Sequence, residues 1–301
     1  MKRMTAKKRL LVVFIAAVAV GATAALVFIF QFFGDAVRER SDLYISARTD
    51  YPGLLDSLRP RTDHHWAFDR YAGRLELERS FKPGHYVLEP GMNVVEIARM
   101  LKLGMQTPVR VTLNYARTRA FLASRLARQL DADSAELMRA LTDPQLAREV
   151  GTDSLQLFSL FIPNTYEFYW TVSPEDFVRR MRKEYDRFWT PERDAARRRS
   201  GLSRDEVLTL ASIVTEETNK ADEMPRVAGV YINRLRKGMP LQADPTVKYA
   251  LQDFSLRRIL HKHLRTPSPY NTYLYQGLPP GPICNPGTVS YTHLTLPTIL
   301  R

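Results

Sequence analysis

SRDEVLTLASIVTEETNKA, residues 203–221, is the stretch from which the rest of the chain can be read. Ser203 followed three residues later by Glu206 is a capping box that opens a helix. Val207, Leu210, Ala211, Val214, Thr218 and Ala221 then recur at i+3 and i+4 and form one apolar stripe. At about 100° per residue, Glu217 falls on the flank of that stripe and Glu216 nearly opposite, toward solvent. Partial desolvation of Glu217 would favour its protonated form and suit it to general-acid work. Glu216 is expected to be an ordinary exposed carboxylate. Helical phase alone is met more often by a surface glutamate paired with Arg or Lys.

Downstream of this helix, Pro225 suits the first turn of a second one. Val227, Val230, Tyr231 and Leu235 form its expected apolar face, and Gly238 closes it. The segments that follow are LQADPTV (241–247), SPYNTY (268–273) and GLPPGPICNPG (277–287). Proline stiffens such loops without needing backbone donors. Rigid loops rich in Tyr, Asn and Gln suit sugar binding. A long irregular connection is the plainer reading of the same residues.

Upstream, Arg117–Ala196 reads as mostly helical, interrupted by an aromatic-rich turn at FIPNTYEFY (161–169). Arginines crowd Arg179–Ser200 but are interleaved with Glu184, Asp186 and Glu192, the pattern of a solvated helix face rather than of a nucleic-acid patch. Nearer the start, Leu43–Ile45 and His85–Leu88 read as strands. Tyr51–Leu58 and His64–Leu77 read as helices, with Pro60 between them. Asn93–Leu103 carries helical spacing, Gly104 sits where a C-cap would, and Val109, Val111 and Leu113 alternate as a half-buried strand. Strand, turn, short helix and strand in about thirty residues resembles a LysM-like module, a small fold associated with glycan binding. A small α+β cap with no ligand fits as well.

The run from Leu10 to Phe33 contains no charged side chain. As a helix it would span about 36 Å, against a bilayer core of roughly 30 Å. Lys2, Arg3, Lys7, Lys8 and Arg9 precede it, so the positive-inside rule puts the N-terminus in the cytoplasm and the remainder outside. A cleaved signal peptide is the alternative, but its small-residue site, Ala22-Thr23-Ala24, would lie in the middle of the apolar run. The 301 residues have 45% hydrophobic composition and a formal net charge of +12. That balance predicts anionic partners and says nothing of fold. The outward topology argues against nucleic acid. A single cysteine, Cys284, excludes an internal disulfide scaffold.

Five segments in this order, ASIVTEET (211–218), VYINRL (230–235), LQADPTV (241–247), YNTY (270–273) and GLPPGPI (277–283), together resemble the endolytic murein transglycosylase, or YceG-like, family. FIPNTY (161–166) is similar to that family's aromatic segment. The resemblance implies an α+β protein: a basic cytoplasmic tail (1–9), a single transmembrane helix (10–33), a LysM-like subdomain (41–114) and a mostly helical catalytic domain (115–287). It places the chain in the bacterial inner membrane, with its catalytic domain in the periplasm. The implied reaction is non-hydrolytic cleavage between N-acetylmuramic acid and N-acetylglucosamine in nascent peptidoglycan strands, leaving 1,6-anhydro ends.

In that family the catalytic acid is the glutamate just before the helix threonine, which here is Glu217. It would protonate the bridging oxygen and then take the proton of the muramyl 6-hydroxyl. Gln242, Asp244, Asn271 and Tyr273 are the implied substrate contacts. Asp244 is either a second carboxylate or a loop cap beside Pro245. No metal or cofactor is called for, and His261-Lys262-His263 makes a poor metal pair. Cell-wall synthases are the implied protein partners. The alternative is a non-catalytic peptidoglycan-binding or scaffold protein. Residues 288–301 depart from the family pattern and read as a non-native tail on a truncated C-terminus.

Overall fold

A computed structural model describes residues 6–287. The first residues of the basic tail and the segment 288–301 lie outside the described residues. The chain divides into two compact units at Val109–Arg110, with the short stretch Tyr169–Thr171 belonging to the first.

In the first unit, helix α1 (Ala6–Phe33) is long and apolar enough to cross a membrane, and its side chains from Leu10 to Phe30 are exposed. After a turn the chain enters β1 (Ser41–Ile45), which pairs antiparallel with β2 (Gly84–Leu88) from Ser41↔Leu88 to Ile45↔Gly84. Period-two alternation turns Leu43 and Ile45 into the core. Between the strands lie α2 (Tyr51–Leu58), α3 (His65–Arg74) and α4 (Leu77–Ser80). The expected single helix over His64–Leu77 is broken because Glu76 adopts a left-handed backbone, φ 52°. Helix α5 (Val94–Leu103) follows β2. Asn93 accepts from the Glu96 N–H at 3.0 Å while Glu96 accepts from the Asn93 N–H at 3.0 Å, which satisfies two of the four orphan donors at its start. Gly104 ends α5 in the left-handed region at φ 67°.

The strand expected at Val109–Leu113 forms as β3, but it pairs with β4 (Asn164–Phe168), not with β2. The strand–helix–strand read as one LysM-like module is therefore divided. β2 finds its partner in β1, and most of β3 belongs to the second unit. The segment expected as an aromatic turn is itself the strand β4. Its burial does not alternate along the strand, and its aromatic side chains fit strand and turn equally.

The second unit is otherwise helical, as expected. It contains α6 (Arg119–Leu126), α7 (Ser134–Thr142), α8 (Pro144–Glu149), a 3₁₀ segment (Gln156–Leu160), α9 (Pro174–Phe188), α10 (Pro191–Ser200), α11 (Arg204–Glu217), α12 (Met224–Arg236), α13 (Asp244–Leu251) and α14 (His261–Leu264). Helix α9 buries Phe177, Val178, Met181 and Tyr185. Its arginines form exposed pairs such as Arg180–Glu184 at 2.6 Å and Arg182–Asp186 at 3.0 Å, the solvated face its charge pattern suggests. Phe177 lies against Phe161 and Phe168, with ring centroids 6.0 and 4.9 Å away.

Buried Asn285 closes this unit. Its Nδ2 donates to the carbonyls of Asn114 and Phe161, both at 3.1 Å, and its Oδ1 accepts from the Ala116 N–H. Three segments far apart in sequence meet on one amide. Asn285→Ala should lower unfolding stability by about 3 kcal/mol or more, because two carbonyls and an N–H lose their partner in the interior. Asn285→Asp, equal in size but without the N–H donors, should be comparably destabilised in chemical denaturation. If the aspartate variant matched wild type, packing rather than hydrogen bonding would be what Asn285 supplies.

Candidate active site

The capping box that opens α11 forms as expected: Ser203 Oγ accepts from the Glu206 N–H at 3.1 Å and Glu206 accepts from the Ser203 N–H at 2.7 Å. The stripe does not. Every side chain from Val207 to Val214 is buried, so α11 is enclosed on all faces and helical phase no longer separates inside from outside. Ser212 gives this enclosed helix a polar notch. Its Oγ donates to the Thr209 carbonyl at 2.7 Å and accepts from the Ile283 N–H at 2.9 Å. The Pro-rich loop is thereby moored along the helix, with Cys284 fully buried beside it and its thiol pushed up chiefly by that burial.

Helix α11 stops at Glu217. Thr218 turns to extended backbone (φ −147°, ψ 140°) and its hydroxyl donates to Glu223 at 2.8 Å while accepting from the Lys220 N–H at 3.2 Å. Thr218 and Ala221 thus fall outside the helix they were expected to extend. A hydroxyl that can bond its local backbone offers the chain an alternative to a further helical turn.

The environments of the two glutamates are the reverse of those expected. The Glu216 side chain is only 10% exposed, and Glu217 is exposed. Arg117 Nε donates to both Glu216 oxygens, at 3.0 and 3.1 Å, and to the Tyr115 hydroxyl at 2.9 Å. Burial pushes the Glu216 carboxyl up to about 7, while Lys248 draws it down. The Arg117 pair opposes that rise, since a guanidinium at this distance favours the ionised carboxylate. Projecting phase from the start of α11 failed because tertiary cover, not the stripe, decides exposure in its last turn.

Glu217 lies in a polar cluster. The Tyr231 hydroxyl donates to its Oε2 at 3.2 Å. Tyr231 is buried, and that burial, together with the Glu217 charge, holds its phenol protonated as a donor. Tyr273 donates to Asp244 Oδ1 at 2.6 Å and is pushed up to about 12, by burial first and by Asp244 second, with the charges of Glu217 and Arg234 also acting on it. Arg234 Nη1 donates to the Leu241 carbonyl at 2.5 Å and reaches Gln242 Oε1 at 3.5 Å. Gln242 sits in the left-handed region, φ 51°, and its N–H donates to the Thr272 carbonyl at 3.0 Å.

Glu217, Gln242, Asp244 and Tyr273 are therefore brought together. Asp244 opens α13 and spends its bond on Tyr273; the helix cap itself is Ala243. Asn271 is different. It has no exposed surface, its Nδ2 donates to the carbonyls of Leu264 and Thr266, both at 2.9 Å, and its Oδ1 accepts from the Tyr273 N–H at 3.1 Å. Its place is behind the cluster, positioning Tyr273, and not at the surface where a substrate contact was expected. The Thr246 and Thr272 hydroxyls, 2.9 Å apart, tie α13 to the same loop.

Several of these contacts were not legible in the sequence. Tyr231 reads as an apolar face residue, and the face itself is rotated: Met224, Ala228, Tyr231 and Ile232 are buried while Val230 is exposed. Arg117 and Asn285 pair across long sequence separations that no local pattern signals. Among the described residues no group of three or more His, Cys, Asp or Glu is arranged to hold a metal ion. Two carboxylates at the C-terminal end of a helix also run against its dipole, a placement that stability alone does not favour.

The sequence profile of the YceG-like family matches residues 44–297. The chain is 31% identical over 227 residues to an endolytic murein transglycosylase of Bacillus subtilis (strain 168), covering 70% of this chain and 62% of that one. It is 27% identical over 255 residues to an endolytic murein transglycosylase of Streptococcus pneumoniae serotype 2 (strain D39 / NCTC 7466), covering 74% of this chain and 46% of the relative. The chain thus spans less than two thirds of the length of either. A 2.6 Å crystal structure of a yceG-like protein from Listeria monocytogenes superposes with a TM-score of 0.55 at 28% identity, covering 85% of this chain and 90% of that one.

The Arg117–Glu216 pair makes stability depend on pH in a way a variant can expose. A carboxyl raised from the usual 4.5 toward 7 is favoured in the fold while protonated, and that stability is lost as pH rises through about 7. Arg117 offsets the loss by pairing with the ionised form. Arg117→Ala should therefore unfold more easily at pH 8 than at pH 5, by about 1–3 kcal/mol after allowance for its 43% exposed side chain. Thermal melts at the two pH values check this; an equal loss at both would show that Arg117 acts by packing alone.

Proposed function

The chain belongs to the YceG-like family, and on that premise we propose that it is a membrane-anchored endolytic lytic transglycosylase of peptidoglycan, with Glu217 as its acid/base catalyst. Glycan strands thread past the exposed end of α11, and the bond between N-acetylmuramic acid and N-acetylglucosamine lies against Glu217. Glu217 protonates the bridging oxygen as positive charge develops on the muramyl anomeric carbon. The resulting carboxylate then accepts the proton of the muramyl 6-hydroxyl as that oxygen attacks the same carbon. The C–O bond to the leaving sugar breaks, a 1,6-anhydro ring closes, and the carboxyl ends the cycle protonated. One carboxyl suffices because the nucleophile belongs to the substrate, unlike the paired carboxylates of most glycosidases.

The observation that carries this reading is the cluster around Glu217. An exposed carboxylate held against the helix dipole, oriented by the Tyr231 hydroxyl and flanked by Gln242, Asp244 and Tyr273, suits proton transfer to a sugar and serves no evident structural purpose. The names of the two relatives, endolytic murein transglycosylases both, point the same way. Gln242, Asp244 and Tyr273 would contact sugar hydroxyls directly, and Asn271 would act on the substrate only through Tyr273. Helix α1 would cross the inner membrane with the basic tail in the cytoplasm, which puts the cluster in the periplasm where new strands emerge from the synthases.

Glu217→Gln should bind uncrosslinked glycan strands normally but cleave them slower by on the order of 10²–10⁴-fold, the usual contribution of a positioned acid/base. Cleavage at the wild-type rate would remove Glu217 from the mechanism. Tyr231→Phe keeps the ring and deletes one hydrogen bond, about 1 kcal/mol, so its turnover should fall roughly five-fold with KM unchanged. A rise in KM alone would assign Tyr231 to substrate binding.

A further inference from the structure

Helix α1 does not end in a slack tether. Phe32, Ala36 and Val37 belong to the hydrophobic core of the first unit, and the N–H groups of Ala36 and Val37 donate to the Met92 carbonyl at 2.8 and 3.2 Å. The first unit is therefore fixed to α1 at its last turn. Helix α3 lies beside it. Trp66 meets Phe28 and Phe32 edge-on, with ring centroids 6.4 and 6.0 Å away, yet remains 59% exposed.

That contact sets a depth. The apolar stretch is Leu10–Phe33, 24 residues, and Phe28 lies five residues inside its end, about 7.5 Å along the axis. The stretch exceeds a bilayer core by only about 6 Å, or four residues. Even if the whole excess stood on the side of the folded unit, Phe28 would lie at the edge of the hydrocarbon, and Trp66 with it. Tilt would only carry both deeper. Trp is favoured at that boundary, where its ring is buried and its N–H stays wet.

Beside Trp66 a cleft runs between α1 and α3, lined by Ala24, Val27, Phe28 and Gln31. A second cleft adjoins it at Phe28 and is lined by Phe32, Asp69, Arg70, Tyr71 and Arg74. Trp66, Arg70 and Arg74 stand at i, i+4 and i+8 on one face of α3. Both arginines are exposed, and neither has a carboxylate partner among the described residues. Asp69, which also lines the cleft, is engaged by Arg59 at 3.6 Å. An apolar cleft at hydrocarbon depth that adjoins, at Phe28, a cleft bearing two guanidinium groups without a carboxylate partner suits a molecule with an apolar chain and an anionic head.

We propose that the cleft between α1 and α3 is a phospholipid site. An acyl chain lies along Val27 and Phe28 under Trp66, and an anionic headgroup is held by Arg70 and Arg74. The first unit then rests on the bilayer surface. This rests on α1 being a membrane span, and on nothing about Glu217 or catalysis.

The test uses the full chain reconstituted in vesicles of phosphatidylcholine, alone or mixed with phosphatidylglycerol, with acyl chains brominated near the glycerol. Tryptophan emission is compared between wild type and Trp66→Phe, which keeps the aromatic contact with α1. Quenching that disappears in Trp66→Phe supports the site. So does a preference for phosphatidylglycerol that falls by about five-fold for each of Arg70→Gln and Arg74→Gln, the ordinary effect of one arginine at an anionic surface. Equal quenching in wild type and Trp66→Phe, in a chain that floats with the vesicles and resists alkaline extraction, overturns the site and leaves the anchor standing. A chain that fails to float overturns both.

Discussion

The second unit turns on the enclosure of α11. For two turns this helix has no solvent face, and the Ser212 notch lets the loop at residues 283–285 lie against it. The enclosure fixes where the helix end can be, and Thr218 fixes that it ends there, by exchanging the next helical bond for hydroxyl bonds to Glu223 and Lys220. Two carboxylates are thus delivered to a defined place with different surroundings. One is drawn under cover and paired with Arg117; the other stands out beside Tyr231. Neither result follows from α11 itself. Both follow from what is packed around it.

The same logic explains why the loops of the site hold their shape with little regular structure. Asn271, Thr272, Thr246 and Asn285 are all buried, and each spends its side-chain bonds on backbone or on another of the group. Buried polar networks that are fully satisfied specify one arrangement, because any other leaves groups unpaired in a low dielectric. Tyr273 and Gln242 are held on this framework from behind, by the Asn271 amide and the Thr272 carbonyl.

Local chemistry was legible in the sequence and long-range pairing was not. Ser203 with Glu206, Pro225 and Gly104 each announced a helix end, because capping is decided by residues a few positions apart, whereas the Asn93–Glu96 box that opens α5 emerged only in the structure. The strands at Leu43–Ile45 and Val109–Leu113 showed their alternation, but alternation carries no information about partners, so the pairing of β3 with β4 and the division at Val109–Arg110 could not be read. At the site, the motifs named Glu217, Gln242, Asp244 and Tyr273, which do lie together. Asn271 was misplaced because an amide in a Tyr-rich loop looks the same whether it faces a ligand or the backbone behind it. The helical-phase argument singled out Glu217 for a burial that belongs to Glu216, so the resemblance to a family and the local physics agreed on a residue for different reasons, of which only one survives.

The central claim is that a single exposed carboxylate cleaves glycan strands with the substrate's own hydroxyl in place of water. Cleavage of uncrosslinked strands in ¹⁸O-labelled water tests it most directly, with the products weighed by mass spectrometry. New ends that carry no ¹⁸O and are lighter by one water than a reducing end are the predicted result. Reducing ends labelled with ¹⁸O would contradict it: water would then be the nucleophile, and a second carboxylate, with Asp244 the first to examine, would have to activate it.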